Sequence, residues 1–269
     1  MTFFESFILG IVEGVTEYLP ISSTGHLIIT EHFLGIGESA GAKTFAIAIQ
    51  LGAILAVLML YWNFLFQKVA SLSKKSTSQK FFINLFLSFL PAAIVGLLFR
   101  KAIKVYLFSP MWVVAALFVG GVLMIFLEKF LNSKKRKMIT IDELSYRDSL
   151  FVGFAQCLSL WPGFSRSMAT ILGGRYMGLS PKDASEYSFF LALPTLGAAT
   201  MYEMLQAFKE GGLQFDRDWW ISLLLGMFVS FVVAALVIKA FLAFLKKYPL
   251  AWFGYYRIVL AIGLYFLLK

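Results

Sequence analysis

Glu13-Gly14-Val15-Thr16-Glu17-Tyr18-Leu19-Pro20-Ile21-Ser22-Ser23-Thr24-Gly25-His26 stands inside a stretch that is otherwise apolar from Phe3 to Phe33. A bilayer-crossing helix needs about 20 mostly apolar residues, and this segment interrupts itself before it gets there. Glu13 and Glu17 are four residues apart, so a helix carries both carboxylates on one face. An ionised residue at the bilayer centre costs about 2.5–3.5 kcal/mol, whereas each large apolar residue returns only about 0.3–0.6 kcal/mol. Two carboxylates therefore offset most of what about ten apolar neighbours supply, and the segment is no ordinary lipid-facing helix. A wet interface or pairing with Arg or Lys would accommodate them structurally, but an intramembrane carboxylate is a functional-site candidate by default. Pro20 removes a backbone donor and restricts Leu19, while Ser and Gly favour caps and turns. The stretch reads as two short helices around a break, entering the membrane and returning on the same side. Such a break must be buried in protein or line a watery cavity.

Outward from this stretch, the whole chain has the composition of a membrane protein. Of 269 residues, 59% are apolar, 17% aromatic and only 14% charged, against about 45–50% apolar and about 25% charged in soluble domains. Mean hydropathy is +0.79. Soluble, fibrous, disordered and disulfide-scaffold classes are excluded, and a polytopic integral membrane protein is left. The net charge of +9 is explained by location. Lys74, Lys75 and Lys80 share one polar gap, Lys134, Lys135, Arg136, Lys137 and Arg147 a second, and Lys246 and Lys247 a third. Basic residues in short loops mark the cytoplasmic side and can touch anionic lipid headgroups, so membrane lipids are expected partners. No basic face with interleaved aromatics exists, so nucleic acid is not. Cys157 is a lone cysteine, which rules out an intramolecular disulfide. The chain starts Met-Thr-Phe-Phe-Glu without a basic n-region, so signal cleavage is not expected.

Six stretches have spanning length: Thr44–Trp62, Phe81–Phe99, Pro110–Leu131, Ser185–Leu205, Trp219–Phe244 and Leu250–Leu268. A second interrupted region, Ser149–Leu179, breaks at Trp161-Pro162-Gly163-Phe164-Ser165-Arg166-Ser167. The halves echo one another in order: Gly10 precedes Gly153 by 143 residues, Pro20 precedes Pro162 and Ser23 precedes Ser165 by 142, and Leu51-Gly52-Ala53 precedes Leu196-Gly197-Ala198 by 145. This predicts an all-α single membrane domain of two repeats, 1–135 and 145–269, each a re-entrant hairpin plus three spans. Three spans are odd, so the second repeat is inverted. The loops Leu65–Lys80, Asn132–Arg147 and Lys246–Tyr248 are then cytoplasmic, and both termini lie outside. The outer loop Gln206–Asp218 carries Glu210, Asp216 and Asp218 against Lys209 and Arg217, as expected, whereas Arg100, Lys101 and Lys104 fall on the unfavoured side. Hairpins from opposite faces would meet near the midplane, where inverted-repeat proteins build their sites.

Gly10 and Gly14 form Gly-x-x-x-Gly, read first as close helix packing. Ser22, Ser23, Thr24 and Gly25 can cap a returning helix, whose N-terminal N–H groups suit phosphate. His26 lies within four residues of three hydroxyls and titrates near neutrality. Arg166, among Ser165, Ser167 and Thr170, offers a bidentate fork for phosphate oxygens. Carboxylates plus substrate phosphates are how Mg²⁺ is usually held. The set describes phosphate chemistry on an anionic lipid, with Glu13 and Glu17 as the metal candidates.

At these residues the sequence resembles the undecaprenyl-diphosphate phosphatase family of bacterial inner membranes, also called the bacitracin-resistance proteins. The resemblance rests on Glu13 to His26 and on Leu160-Trp161-Pro162-Gly163-Phe164-Ser165-Arg166-Ser167, with support from Ile49 to Val57 and Ala184 to Phe189, and extends over essentially the whole chain. It implies hydrolysis of undecaprenyl diphosphate to the monophosphate, recycling the lipid carrier for cell-wall polymers and conferring bacitracin resistance. It implies a site dependent on a divalent cation, Mg²⁺ or Ca²⁺, that carries over onto Glu13, Glu17, Ser23, His26 and Arg166. Ser22, Thr24, Gly25, Ser165, Ser167, Thr170 and Gln50 are the weaker candidates. Ser23 with His26 as acid–base partner, and direct water attack with His26 or Glu17 as base, both stay open. So do a homodimer and the rival class of a lipid-phosphate flippase or secondary transporter. The site is expected to open to the outer face.

Overall fold

The computed structural model describes residues 1–36, 40–107, 109–133, 138–210 and 217–267. Twelve α-helices are present among them: α1 (Phe3–Thr16), α2 (Ser23–Phe33), α3 (Ala40–Ala48), α4 (Gln50–Leu60), α5 (Trp62–Ala70), α6 (Ser76–Tyr106), α7 (Pro110–Ser133), α8 (Tyr146–Gln156), α9 (Arg166–Tyr176), α10 (Pro181–Glu210), α11 (Arg217–Leu245) and α12 (Ala251–Leu267), with short 3-10 turns at Ile141–Glu143 and Cys157–Leu160. No strand is found among the described residues, and one isolated bridge joins Ile139 to Leu179. The described residues are all-helical, as the long apolar stretches predict. The basic run Lys134–Lys137, Asp216 and the side chains of Lys104 and Glu210, used above to orient the loops, lie outside the described residues.

Four helical stretches are long and apolar enough to cross a membrane: Gly41–Leu60, Ser76–Ile103, Pro110–Ser133 and Arg217–Leu245. Six were expected. Of the other two, α10 is 30 residues long but carries Lys182, Asp183, Glu186, Glu203 and Lys209. The last, α12, is apolar but only 17 residues long. The first span is also less regular than its sequence suggests, because Ile49 falls between α3 and α4 and a further helix, α5, follows Tyr61.

Both interrupted regions are broken where proline and glycine predict it. α1 opens with a capping box between Thr2 and Glu5 and ends at Glu17; α8 opens with the equivalent box between Ser145 and Asp148. After the breaks, α2 and α9 are each 11 residues long and are capped by Ser22 and Ser165, whose hydroxyls accept from Gly25 N and Met168 N. Among the described residues Ser22 and Ser165 are also the non-glycine residues with left-handed φ, +74° and +79°. Such a conformation costs about 1–2 kcal/mol for an L-residue, so each break is held by its surroundings.

Packing crosses between the halves. α1 lies mainly on α11, and α8 mainly on α6, while α7 and α12 pack on each other. Small residues permit these approaches. A Cβ on Gly10 or Gly14 would come within 2.6 or 2.7 Å of the Gly226 or Ser230 carbonyl oxygen of α11. One on Gly153 would come within 2.8 Å of the Ser88 carbonyl oxygen of α6. The Gly-x-x-x-Gly of α1 is a packing seam.

Apolar residues face outward: Phe86, Leu97 and Leu98 on α6, Phe126 on α7, and Leu224, Phe228 and Leu236 on α11 are exposed. The interior instead holds Glu13, Glu17, Asn84, Ser88, Gln156, Thr170 and Arg257. In lipid that arrangement is the favourable one, because polar groups must find partners inside the protein.

Candidate active site

The two breaks meet at a cavity of about 170 Å³ lined by Glu17, Ser22, Ser23 and Thr24 from the first and by Pro162, Gly163, Ser165 and Arg166 from the second, with Gln50, Ser159 and Thr195 closing it. Helices α2 and α9 both begin at this cavity, so free backbone N–H groups approach it from two directions.

Glu17 ties the halves together. Its Oε2 accepts from Ser23 Oγ at 2.6 Å and its Oε1 from Arg166 Nη2 at 2.7 Å. The pair is buried, with side chains 8% exposed for Arg166 and 5% for Glu17. Arg166 Nη1 donates to the Ser188 carbonyl at 3.0 Å and to its hydroxyl at 3.2 Å, which fixes the guanidinium plane. The same guanidinium lies over the Tyr18 ring, 5.7 Å from its centroid, and Tyr18 is anchored by its hydroxyl to the Ala53 carbonyl at 2.8 Å. Arg166 Nε is buried without a hydrogen-bond partner, so one donor of the fork is uncommitted.

One turn before Glu17, Glu13 is fully buried and neither of its carboxylate oxygens has a hydrogen-bond partner. An orphaned buried carboxylate is costly, and a cation beside Glu13 would satisfy it. Among the described residues no group of three or more His, Cys, Asp or Glu could hold a metal. The donors present are two carboxylates and neighbouring hydroxyls, oxygen ligands of the kind that would suit a hard divalent cation such as Mg²⁺ or Ca²⁺.

The remaining candidates fall into two groups. Ser22, Thr24, Ser165 and Gln50 reach the cavity wall. Ser167, Thr170 and Gly25 serve the scaffold: Ser167 Oγ donates to the Leu19 carbonyl at 2.8 Å, joining the breaks, and Thr170 Oγ1 donates to the Arg166 carbonyl at 2.9 Å and lies 2.7 Å from Ser188 Oγ. A Cβ at Gly25 would lie 3.4 Å from Leu117 Cδ1, so the position is closely packed. His26 is not on the cavity wall, and no hydrogen bond joins it to Ser23. Its Nδ1 lies 2.7 Å from the Ser22 carbonyl and its Nε2 lies 2.7 Å from the Tyr256 hydroxyl. A carbonyl only accepts, so Nδ1 carries the proton and the ring braces the first turn of α2.

Four participants escaped the sequence reading: Ser188, Thr195, Tyr256 and Arg257. Serine, threonine and tyrosine in apolar helices give no warning. Arg257 does, since a charge inside Leu250–Leu268 is the same signal that singled out Arg166. It is fully buried and donates to carbonyls alone: Pro20, Ala116, Leu117 and Gly163.

Residues 6–263 match the family described as bacitracin resistance protein BacA. The chain belongs to this family. It is 48% identical over 263 residues to an undecaprenyl-diphosphatase of Sorangium cellulosum, covering 97% of this chain and 84% of that protein. It is 44% identical over 255 residues to undecaprenyl-diphosphatase 1 of Chromobacterium violaceum, covering 95% and 92%. A Thermoanaerobacter undecaprenyl-diphosphatase is 44% identical over 264 residues, covering 98% and 95%. Membership in a bacterial membrane-enzyme family agrees with the apolar exterior and the resemblance stated from the two motifs.

Proposed function

We infer that the protein hydrolyses undecaprenyl diphosphate to undecaprenyl phosphate and inorganic phosphate, which returns the carrier lipid to cell-wall synthesis and confers bacitracin resistance. One observation carries this beyond family membership: a single carboxylate, Glu17, holds a serine hydroxyl and an arginine at a cavity where two helix N-termini converge. This supports Ser23 as nucleophile, Glu17 as base and Arg166 as phosphate clamp.

The chemistry follows from the contacts. The diphosphate enters between the N-termini of α2 and α9, and Arg166 turns its free Nε and one Nη towards the terminal phosphate oxygens. Ser23 Oγ attacks the terminal phosphorus while its proton passes to Glu17 Oε2. The bond from that phosphorus to the bridging oxygen breaks, and undecaprenyl phosphate leaves. Water then hydrolyses the phosphoserine and restores the Ser23 hydroxyl. The direct route, in which Glu17 takes the proton of an attacking water, uses the same contacts. In both routes Glu17 is the base that geometry favours, and His26 acts through the backbone of α2. Glu13 and Glu17 would hold a divalent cation, which when bound neutralises charge on the diphosphate.

Six spans, two re-entrant hairpins and inverted repeats account for the reciprocal packing of α1 on α11 and α8 on α6, and for left-handed serines at both caps. The basic residues of the Leu65–Lys80 and Lys246–Tyr248 loops support a site that opens to the outer face. The test is phosphate release from undecaprenyl diphosphate by purified protein in detergent, with and without chelator. Metal-dependent release is expected. Its absence from a folded sample refutes the enzyme and leaves the lipid carrier that moves its substrate intact.

A further inference from the structure

A broken helix frees carbonyl oxygens as well as N–H groups, and at an anion site the two have opposite effects. The N–H groups attract phosphate, whereas carbonyl oxygens repel it. Arg257 collects the offending carbonyls. Its Nη1 donates to the Pro20 carbonyl of the first break at 3.3 Å, and its Nη2 donates to the Gly163 carbonyl of the second break at 3.0 Å. Nη2 also donates to the Ala116 carbonyl at 3.1 Å and Nε to the Leu117 carbonyl at 3.4 Å, both on α7.

The residue is built in at evident cost. It is fully buried on α12, and no carboxylate among the described residues pairs with it. Burying a guanidinium costs several kcal/mol, so a cage of four carbonyls is what the position requires. Room for it exists because residue 120 is glycine: a Cβ there would lie 2.3 Å from Arg257 Nη2. Gly163 is equally constrained, with φ of +95° and a Cβ position 2.5 Å from the Val113 carbonyl oxygen. Its carbonyl is thereby aimed at Arg257, although the residue itself lines the cavity.

We propose that Arg257 is a positioning residue that holds the two breaks at the separation a diphosphate needs, drawing the Pro20 and Gly163 carbonyls onto itself so that α2 and α9 meet the substrate with N–H groups. This rests on the reading of the cavity as a diphosphate site. A single phosphate engages one N-terminus and tolerates a change in their separation, whereas a diphosphate spans both.

The experiment compares binding of inorganic pyrophosphate and orthophosphate, by calorimetry on the full chain in detergent, for the wild type and for Arg257→Met, Arg257→Lys and Gly120→Ala. Lysine keeps the charge but cannot bridge four carbonyls, and Gly120→Ala displaces the guanidinium without removing it. Thermal melting and gel filtration report folding, and should Arg257→Met not fold, Gly120→Ala and Arg257→Lys decide. Pyrophosphate is expected to bind all three variants about tenfold or more weaker, the equivalent of one charge-assisted hydrogen bond, and orthophosphate to change less than about threefold. Equal weakening of both ligands, no weakening, or a lysine variant that matches wild type overturns the proposal. A wild type that binds no pyrophosphate overturns the diphosphate reading and the proposal with it; wild-type binding without the split in the variants overturns the proposal alone.

Discussion

Replacing Arg166 by lysine tests the clamp most directly. The guanidinium makes three contacts at once: Nη2 to Glu17 Oε1 at 2.7 Å and Nη1 to both oxygens of Ser188 at 3.0 and 3.2 Å. A lysine ammonium is a point charge and can keep the Glu17 ion pair, but it loses the anchor on Ser188 and the buried Nε, which has no hydrogen-bond partner in the protein. The ground-state protein should therefore remain folded while the phosphate loses one charge-assisted hydrogen bond, worth about 1.5–3 kcal/mol. That converts to a fall of about 10- to 150-fold in kcat/KM. Arg166→Met should behave differently. It leaves Glu17 buried without its cation, and breaking a buried pair costs about 3–5 kcal/mol, so this variant should lose stability as well as activity. The assay is phosphate release in detergent micelles over a range of substrate, beside thermal melting of each variant. A lysine variant within about threefold of wild type, or a methionine variant as stable as wild type, refutes the reasoning.

Three further outcomes follow from the same geometry. Ser23→Ala should cut turnover by about 100-fold or more if serine is the nucleophile; near-normal turnover assigns the reaction to water. Glu13→Gln removes a buried charge that lacks a hydrogen-bond partner in the protein, so stability should hold or rise while activation by Mg²⁺ or Ca²⁺ in a metal titration is lost; unchanged metal dependence would remove Glu13 from the metal site. Gly163→Ala must adopt φ of +95° and place a Cβ 2.5 Å from the Val113 carbonyl oxygen, so it should destabilise the protein by at least about 1–2 kcal/mol in denaturant unfolding.

Much of the site was legible because lipid makes polarity conspicuous. Glu13 and Glu17, at helical spacing in an apolar run, and Arg166 beside Pro162 could be singled out from cost alone, and Glu17 and Arg166 are in contact. The breaks were equally visible, since proline and glycine are local instructions. What escaped was chemistry that uses ordinary residues. Ser188 and Thr195 look like any small residue in a helix. The left-handed backbone at Ser22 and Ser165 is imposed by packing, and serine does not advertise it. His26 stood beside three hydroxyls in sequence, yet the turn of α2 points its ring to Tyr256, 230 residues away. The span count was obscured by charges that α10 carries near its ends and by the 17-residue length of α12.

The Glu17–Arg166 pair also has a consequence for how the chain is made. Its members are 149 residues apart, and translation at about 5–20 residues per second separates their emergence by roughly 7–30 s. Throughout that interval α1 must reside at the membrane with two carboxylates and no arginine from α9 to answer them. A nascent chain is thus held in an unsettled state until α9 arrives, and one truncated before Arg166 would leave Glu17 without its counter-charge. The ion pair therefore also marks when the first break meets the second, before α11, the main packing partner of α1, has been made.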